Sequence, residues 1–153
     1  LPDFKYVDPG LAARLSGARD YPARAAEAIR EMVRQVGETE FDGEGLAKRG
    51  VILRHLVLPG EGENTRGALR WVRQNLPLGD YVSLMAQYTP AHRCAAPDAE
   101  KHFGAMARAL RPEEYEAAVD YFFEVGLENG FSQELDSSTM SFTPEFDLSG
   151  VRK

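Results

Sequence analysis

Hydrophobic positions are densest in residues 50–60, GVILRHLVLPG, where a glycine precedes an apolar run and Pro59-Gly60 closes it. A run of apolar residues without alternation, bounded by turn formers, predicts a strand buried on both faces, the pattern of a parallel sheet covered by helices. Arg54 interrupts that run. A guanidinium stays charged at working pH, so a strand that carries one inward needs an anion on that face. His55 has the opposite parity and is expected beneath the helix layer.

Around this strand the pattern alternates between extended and helical periods. Residues 1–6, LPDFKY, predict a short strand with Asp3 and Lys5 on one side. Asp8-Pro9-Gly10 marks a turn, and 11–16 a short helix before Gly17. Asp20 is the candidate N-cap of a helix over 21–36, with Pro22 tolerated in the first turn. Its stripe is Ala25, Ala28, Ile29, Met32, Val33 and Val36, and Gly37 is its stop. A polar segment, 38–48, crosses to the central strand. Asn64 or Thr65 is expected to cap a helix through Leu76, with Ala68, Leu69 and Val72 facing inward and Pro77 and Gly79 ending it. Residues 81–88, YVSLMAQY, predict the third strand. After a loop and a weaker helical pattern over 99–109, Pro112 opens a strong helix to about 129. Tyr115, Ala118, Val119, Phe122 and Gly126 share its inner face, and Gly130 is the expected stop. A last short strand over 131–135 leads to an extended tail from about 136, anchored by Phe142 and Phe146.

Strands and helices alternating through short connections are a succession of right-handed βαβ units, hence an α/β fold. No repeat, low-complexity tract or internal linker divides 1–153, which reads as a single domain. Parallel sheets bind ligands at the carboxyl ends of their strands. The candidate binding residues are therefore Asp3, Lys5, Arg54, Gln87, Tyr88 and Thr89.

Composition narrows the partners. A net charge of -6 argues against a nucleic-acid or anionic-membrane surface, which needs clustered Lys and Arg. No apolar run approaches the length of a membrane span, and no signal-peptide pattern opens the chain. The single cysteine, Cys94, excludes an internal disulfide and fits a reducing, cytoplasmic compartment. His92 and His102 have no partners at ligand spacing, so no metal site is expected on this chain. The chain opens on Leu1 inside an apparent strand and is expected to derive from something longer.

The order of these segments resembles a known family. LPDFKYVDPGLAARLSG looks like the fourth strand and following turn of radical SAM activating enzymes, which carry an Asp-x-Lys there. Residues 53–60, with Arg54 and the closing Val57-Leu58-Pro59-Gly60, are similar to the fifth strand, and YVSLMAQYTP to the sixth. With GLENGFSQELDSS and PEFDLSGV, the chain resembles the carboxyl-terminal half of the pyruvate formate-lyase activating enzyme homologues. The fold so implied is a partial parallel (β/α) barrel, the second half of a (β/α)6 radical SAM barrel. The activity implied is reductive cleavage of S-adenosylmethionine, chelated to a [4Fe-4S] cluster, into a 5'-deoxyadenosyl radical. In the activases that radical takes hydrogen from a glycine of a partner protein, the glycyl radical enzyme.

The resemblance assigns roles residue by residue. Asp3 and Lys5 match the Asp-x-Lys beside the cofactor, and Arg54 matches an arginine pointing into the barrel toward S-adenosylmethionine or substrate. The cluster is held in the family by a Cys-x-x-x-Cys-x-x-Cys loop that this chain lacks, and one thiolate cannot replace three. The chain alone is thus expected to be inactive and to supply only the S-adenosylmethionine and substrate side. Thr89 departs from the pattern, because the activases carry a histidine after the tyrosine of the sixth strand.

Other readings of the same residues stay open. By spacing alone Asp3 and Lys5 read as a solvated pair, a preference the resemblance reverses, and Arg54 also reads as the partner of a structural carboxylate such as Asp3. The whole chain also reads as a self-contained small α/β binding or interaction domain. A third possibility is a fragment of another parallel-barrel enzyme, with Lys5 as a Schiff-base amine. If residues 1–6 are the fourth of six strands, their outer edge is left unpaired, and self-association through that edge or the inward face is expected.

Overall fold

The computed structural model describes residues 1–77 and 79–132. The expected tail from about 136, with Phe142 and Phe146, and residues 133–135 of the expected last strand lie outside the described residues. In chain order, helices α1 (Pro9–Ser16) and α2 (Tyr21–Val36) precede a small hairpin of β1 (Glu40–Phe41) and β2 (Ala47–Arg49). Then follow β3 (Ile52–Leu56), α3 (Gly62–Asn75), β4 (Tyr81–Met85), α4 (Ala99–Phe103), α5 (Pro112–Glu124) and β5 (Gly130–Phe131). Single 3-10 turns flank α4 at His92–Ala95 and Gly104–Ala107.

Strands β3, β4 and β5 form a parallel sheet in that order. The amino-terminal segment joins β3 through a parallel bridge between Asp3 and Arg54, where Arg54 N–H donates to Pro2 O (2.8 Å) and Phe4 N–H to Arg54 O (2.9 Å). The spatial order thus follows the chain order. Right-handed crossovers between sequential neighbours place every connecting helix on the same face of a sheet. The core reflects this: Phe4, Leu53, Val82 and Leu84 pack with Ile29 of α2, Leu69 and Val72 of α3, and Tyr115 and Phe122 of α5. Among the described residues the sheet does not close into a barrel.

One face being covered corrects the sequence expectation for the central strand. In β3, Leu53 and His55 are buried, whereas Ile52, Arg54 and Leu56 are only half-buried on the opposite face. The apolar run had suggested two covered faces, but sequential order leaves the second face without a helix layer among the described residues. Its lower end is closed instead by the hairpin, a feature hidden in the polar segment 38–48. There Asp42 accepts the N–H groups of Glu44 (3.0 Å) and Leu46 (2.9 Å), fixing the turn. Phe41 then reaches Tyr81, ring centroids 4.8 Å apart.

Other boundaries shift for identifiable reasons. Strand β4 stops at Met85, not Tyr88, because Tyr88 N–H turns back to Ala86 O (2.9 Å) and its ring enters a second core with Tyr6, Leu11, Leu58 and Met106. The helical pattern over 99–109 breaks at Gly104, whose φ of 55° favours glycine. Helix α5 ends at Glu124, and Gly130 belongs to β5 rather than acting as its stop. A Cβ on Gly130 would stand 2.8 Å from the Phe122 ring and 2.9 Å from Val82 O, so glycine there permits the strand to approach β4. Along α2 the inward face is Ala25, Ala26, Ile29 and Val33, while Ala28 and Met32 are exposed.

Neither Asn64 nor Thr65 caps α3, which begins at Gly62. Both are buried and reach across to the strands instead. Asn64 accepts from Val7 N–H (3.0 Å) and donates to Lys5 O (2.8 Å). Thr65 bonds the Nε2 of His55 (3.0 Å), whose Nδ1 lies 2.7 Å from Phe4 O. A carbonyl can only accept, so Nδ1 carries the proton and Nε2 accepts from the threonine. Burial lowers the His55 pKa below its ordinary value. His55 is therefore a neutral clamp between β3, α3 and the amino-terminal segment, as its parity suggested.

Candidate functional site

Register brings the polar residues of the open face into one row. Asp3 lies opposite Arg54, and Arg54 opposite Ser83 of β4. Arg54 Nε donates to Asp3 Oδ1 at 2.7 Å, and Lys5 Nζ stands 3.8 Å from Asp3 Oδ2. The pair is half open to solvent, Arg54 at 41% and Asp3 at 29% of side-chain exposure. Such a pair adds little to stability, at most about 1 kcal/mol. The contact runs through Nε, and the guanidinium carries further N–H donors of the kind that pair with carboxylates.

Two adjoining hollows open beside this row. One, about 230 Å³, is lined by Asp3, Lys5, Arg54, Leu56, Met85 and Gln87. The other, about 270 Å³, includes Lys5, Tyr6, Leu56, Tyr88, Thr89 and Cys94. They share Lys5 and Leu56, and all six sequence-predicted binding residues line one or both. Leu56 and Met85 are the last residues of β3 and β4, so the hollows sit at the carboxyl ends of the parallel strands.

The six are not equally available to a ligand. Tyr88 is buried and its hydroxyl donates to Met106 O at 2.7 Å. Burial, with the Cys94 thiol next to it, pushes its pKa well above the ordinary tyrosine value, so Tyr88 serves as a neutral wall. Gln87 Nε2 donates to Met85 Sδ at 3.9 Å, a weak contact that a ligand can displace. Lys5 is 51% exposed with a carboxylate for its neighbour. Schiff-base lysines are activated by an apolar pocket or an adjacent cation, so this setting does not favour the aldolase reading.

Tyr21 is a positioning residue that sequence reasoning missed. From α2 its hydroxyl donates to Asp3 O (2.8 Å) and accepts Lys5 N–H (3.0 Å). Those are outward-facing backbone groups of the amino-terminal segment, so a side chain satisfies the edge expected to lie open there. The signal was a lone aromatic at the start of a helix, which periodicity assigns to the core. Burial raises the Tyr21 pKa above its ordinary value, which keeps the hydroxyl protonated for this double contact.

Another hollow, about 430 Å³, lies between the first turns of α3 and α5 and is lined by Gly60, Glu63, Arg66, Glu113 and Glu114 among others. Glu114 accepts from Gly60 N–H (2.8 Å), Arg111 N–H (2.9 Å) and the Arg108 guanidinium (2.7 and 2.8 Å). The Arg108 hydrogen bonds hold its carboxyl at about 2, well below the usual carboxylate range. This is a locked structural junction with none of the predicted binding residues in it.

Among the described residues no helix is long and apolar enough to cross a membrane. No family model, curated protein or solved structure matches the chain.

Proposed function

We propose that this chain is the carboxyl-terminal half-barrel of a radical SAM enzyme of the glycyl-radical-activating type, and that its open sheet face holds S-adenosylmethionine. The observation that carries the reading is the Asp3–Arg54 row, which opens onto paired hollows at the carboxyl ends of sequentially ordered parallel strands. A helix layer on one face only is the arrangement a barrel wall requires, with the other face turned inward.

The chemistry of the donors fits the methionine end of the cofactor. The terminal nitrogens of Arg54 form a fork for its carboxylate, and Asp3 offers Oδ2 to its ammonium. Gln87 lines the first hollow, and Lys5 stands between it and the second, where apolar Leu56, Leu58 and Met106 suit an uncharged moiety. S-adenosylmethionine, when bound, supplies the 5'-deoxyadenosyl group as hydrogen-abstracting agent. A [4Fe-4S] cluster does not fit this chain, because Cys94 is its single thiol. The cluster ligands belong to the other half of the proposed protein, and this half binds and orients.

A second reading, a self-contained binding domain, draws on the Tyr21 contacts that satisfy the segment edge. The experiment that separates the two is anaerobic reconstitution of the full-length protein, reduction, and assay for 5'-deoxyadenosine. Formation of the nucleoside supports the enzyme. A reconstituted, reduced protein that leaves S-adenosylmethionine intact supports the binding domain.

A further inference from the structure

The amino-terminal segment is held by one bonding pattern used repeatedly. Around Asp3, Arg54 of β3 donates its N–H to Pro2 O (2.8 Å) and accepts Phe4 N–H (2.9 Å). A parallel neighbour bonds in this way, to the carbonyl before a residue and the N–H after it. Around Phe4 the Tyr21 hydroxyl does the same with Asp3 O (2.8 Å) and Lys5 N–H (3.0 Å). Around Tyr6 the Asn64 amide repeats it, with Lys5 O (2.8 Å) and Val7 N–H (3.0 Å). A carbonyl only accepts and a backbone N–H only donates, so the partners fix which end of the amide faces which. Both backbone polar groups of Lys5 are thus bonded by side chains, the N–H from α2 and the carbonyl from α3. Gly67 of α3 lets the helix approach, since a Cβ there would stand 2.6 Å from Val7 Cγ2. Glycine weakens a helix interior, and here it makes room for the segment.

We propose that Asn64 is a positioning residue for the ligand: by holding the Lys5 carbonyl, it sets where the Lys5 ammonium stands between the two hollows. The inference rests on the reading of those hollows as an S-adenosylmethionine site, and extends it to a buried residue outside them. Lys5 lines both hollows, whereas Asn64, 5% exposed, lines neither. A lysine carries its charge on a flexible four-carbon stem, so the ammonium is placed only as well as the backbone beneath it. Fixing that backbone before the ligand arrives lowers the ordering cost of binding.

The test is equilibrium dialysis of S-adenosylmethionine against the full-length protein, with its cluster reconstituted and left oxidised. Asn64→Asp keeps the shape and the acceptor for Val7 N–H but loses the donor to Lys5 O. Loss of that bond is expected to raise the Kd about tenfold. In a Lys5→Ala background the same substitution is expected to change the Kd less than about twofold, because no ammonium remains to be placed. After reduction, kcat at saturating S-adenosylmethionine is expected to hold while KM rises, the split of a residue that acts through binding. Asn64→Ala is the second variant if Asn64→Asp does not fold. It brings no charge, and the hollow of about 410 Å³ lined by Asn64 and Val7 gives water access to the freed groups. The same dependence on Lys5 is expected of it. An unchanged Kd would overturn the positioning role, and so would an equal loss with and without the Lys5 side chain, which makes Asn64 a structural brace. A wild-type protein that binds no S-adenosylmethionine would overturn the reading of the hollows, and this role with it.

Discussion

Replacing Arg54 by alanine in the full-length protein is expected to reduce S-adenosylmethionine cleavage about a hundredfold, a loss of ~2.7 kcal/mol in transition-state stabilisation. The expectation rests on where the guanidinium stands: its Nε donates to Asp3, and the residue lines a hollow at the strand ends. Stability moves little by comparison. The pair is partly exposed, and solvent-screened pairs contribute at most about 1 kcal/mol. A large activity loss beside a small stability loss, with the cluster absorption unchanged, separates a binding role from a structural one. Arg54→Lys retains the charge but not the planar fork, and is expected to recover only part of the activity. Unchanged turnover in Arg54→Ala would mean that Arg54 does nothing more than balance Asp3.

The second large effect is on stability. Phe4→Ala is expected to destabilise the chain by about 3–5 kcal/mol in denaturant titration, the usual cost of emptying a core phenylalanine site. Phe4 is 1% exposed, packs on Trp71 with ring centroids 4.7 Å apart, and sits on a backbone that is bonded to Arg54 and to His55. Losing it also loosens the frame on which Asp3 and Lys5 stand, so ligand binding is expected to weaken together with stability. A cost below about 1 kcal/mol would show that the amino-terminal segment is not an integral strand of this fold, and that the Asp3–Arg54 row is incidental.

Much of this architecture was legible in the sequence because it rests on local patterns. Pro22 and Gly37 bracket α2 within the expected range, and the alternation of strand and helix gave the parallel α/β class. The parity of His55 placed it beneath the helices, and the charge at Arg54 required an anion that Asp3 supplies. What escaped depends on tertiary position. An apolar run does not reveal whether one or both faces of β3 will be covered, because that follows from strand order. The hairpin was concealed by its polarity, since its stability comes from the Asp42 turn and the contact of Phe41 with Tyr81.

Side chains that bond across elements were equally hidden. Asn64 and Thr65 have the chemistry of caps, and were read as such, yet both bond across to the strands inside α3. Tyr21 carries no motif at all, and matters because a strand edge passes its hydroxyl. Tyr88 ends the strand that the sequence predicts over 81–88, which makes it a candidate ligand contact, whereas its hydroxyl donates to Met106 O.

The central claim, that this chain is half of a radical SAM barrel, is tested most directly by the coding sequence upstream of Leu1. Three further βα units of ordinary length span roughly a hundred residues. The expected result is a reading frame that carries Cys-x-x-x-Cys-x-x-Cys at about that distance, after the first strand of the proposed other half. A continuous frame without three clustered cysteines would contradict the assignment, and with it the proposed role of the Asp3–Arg54 row.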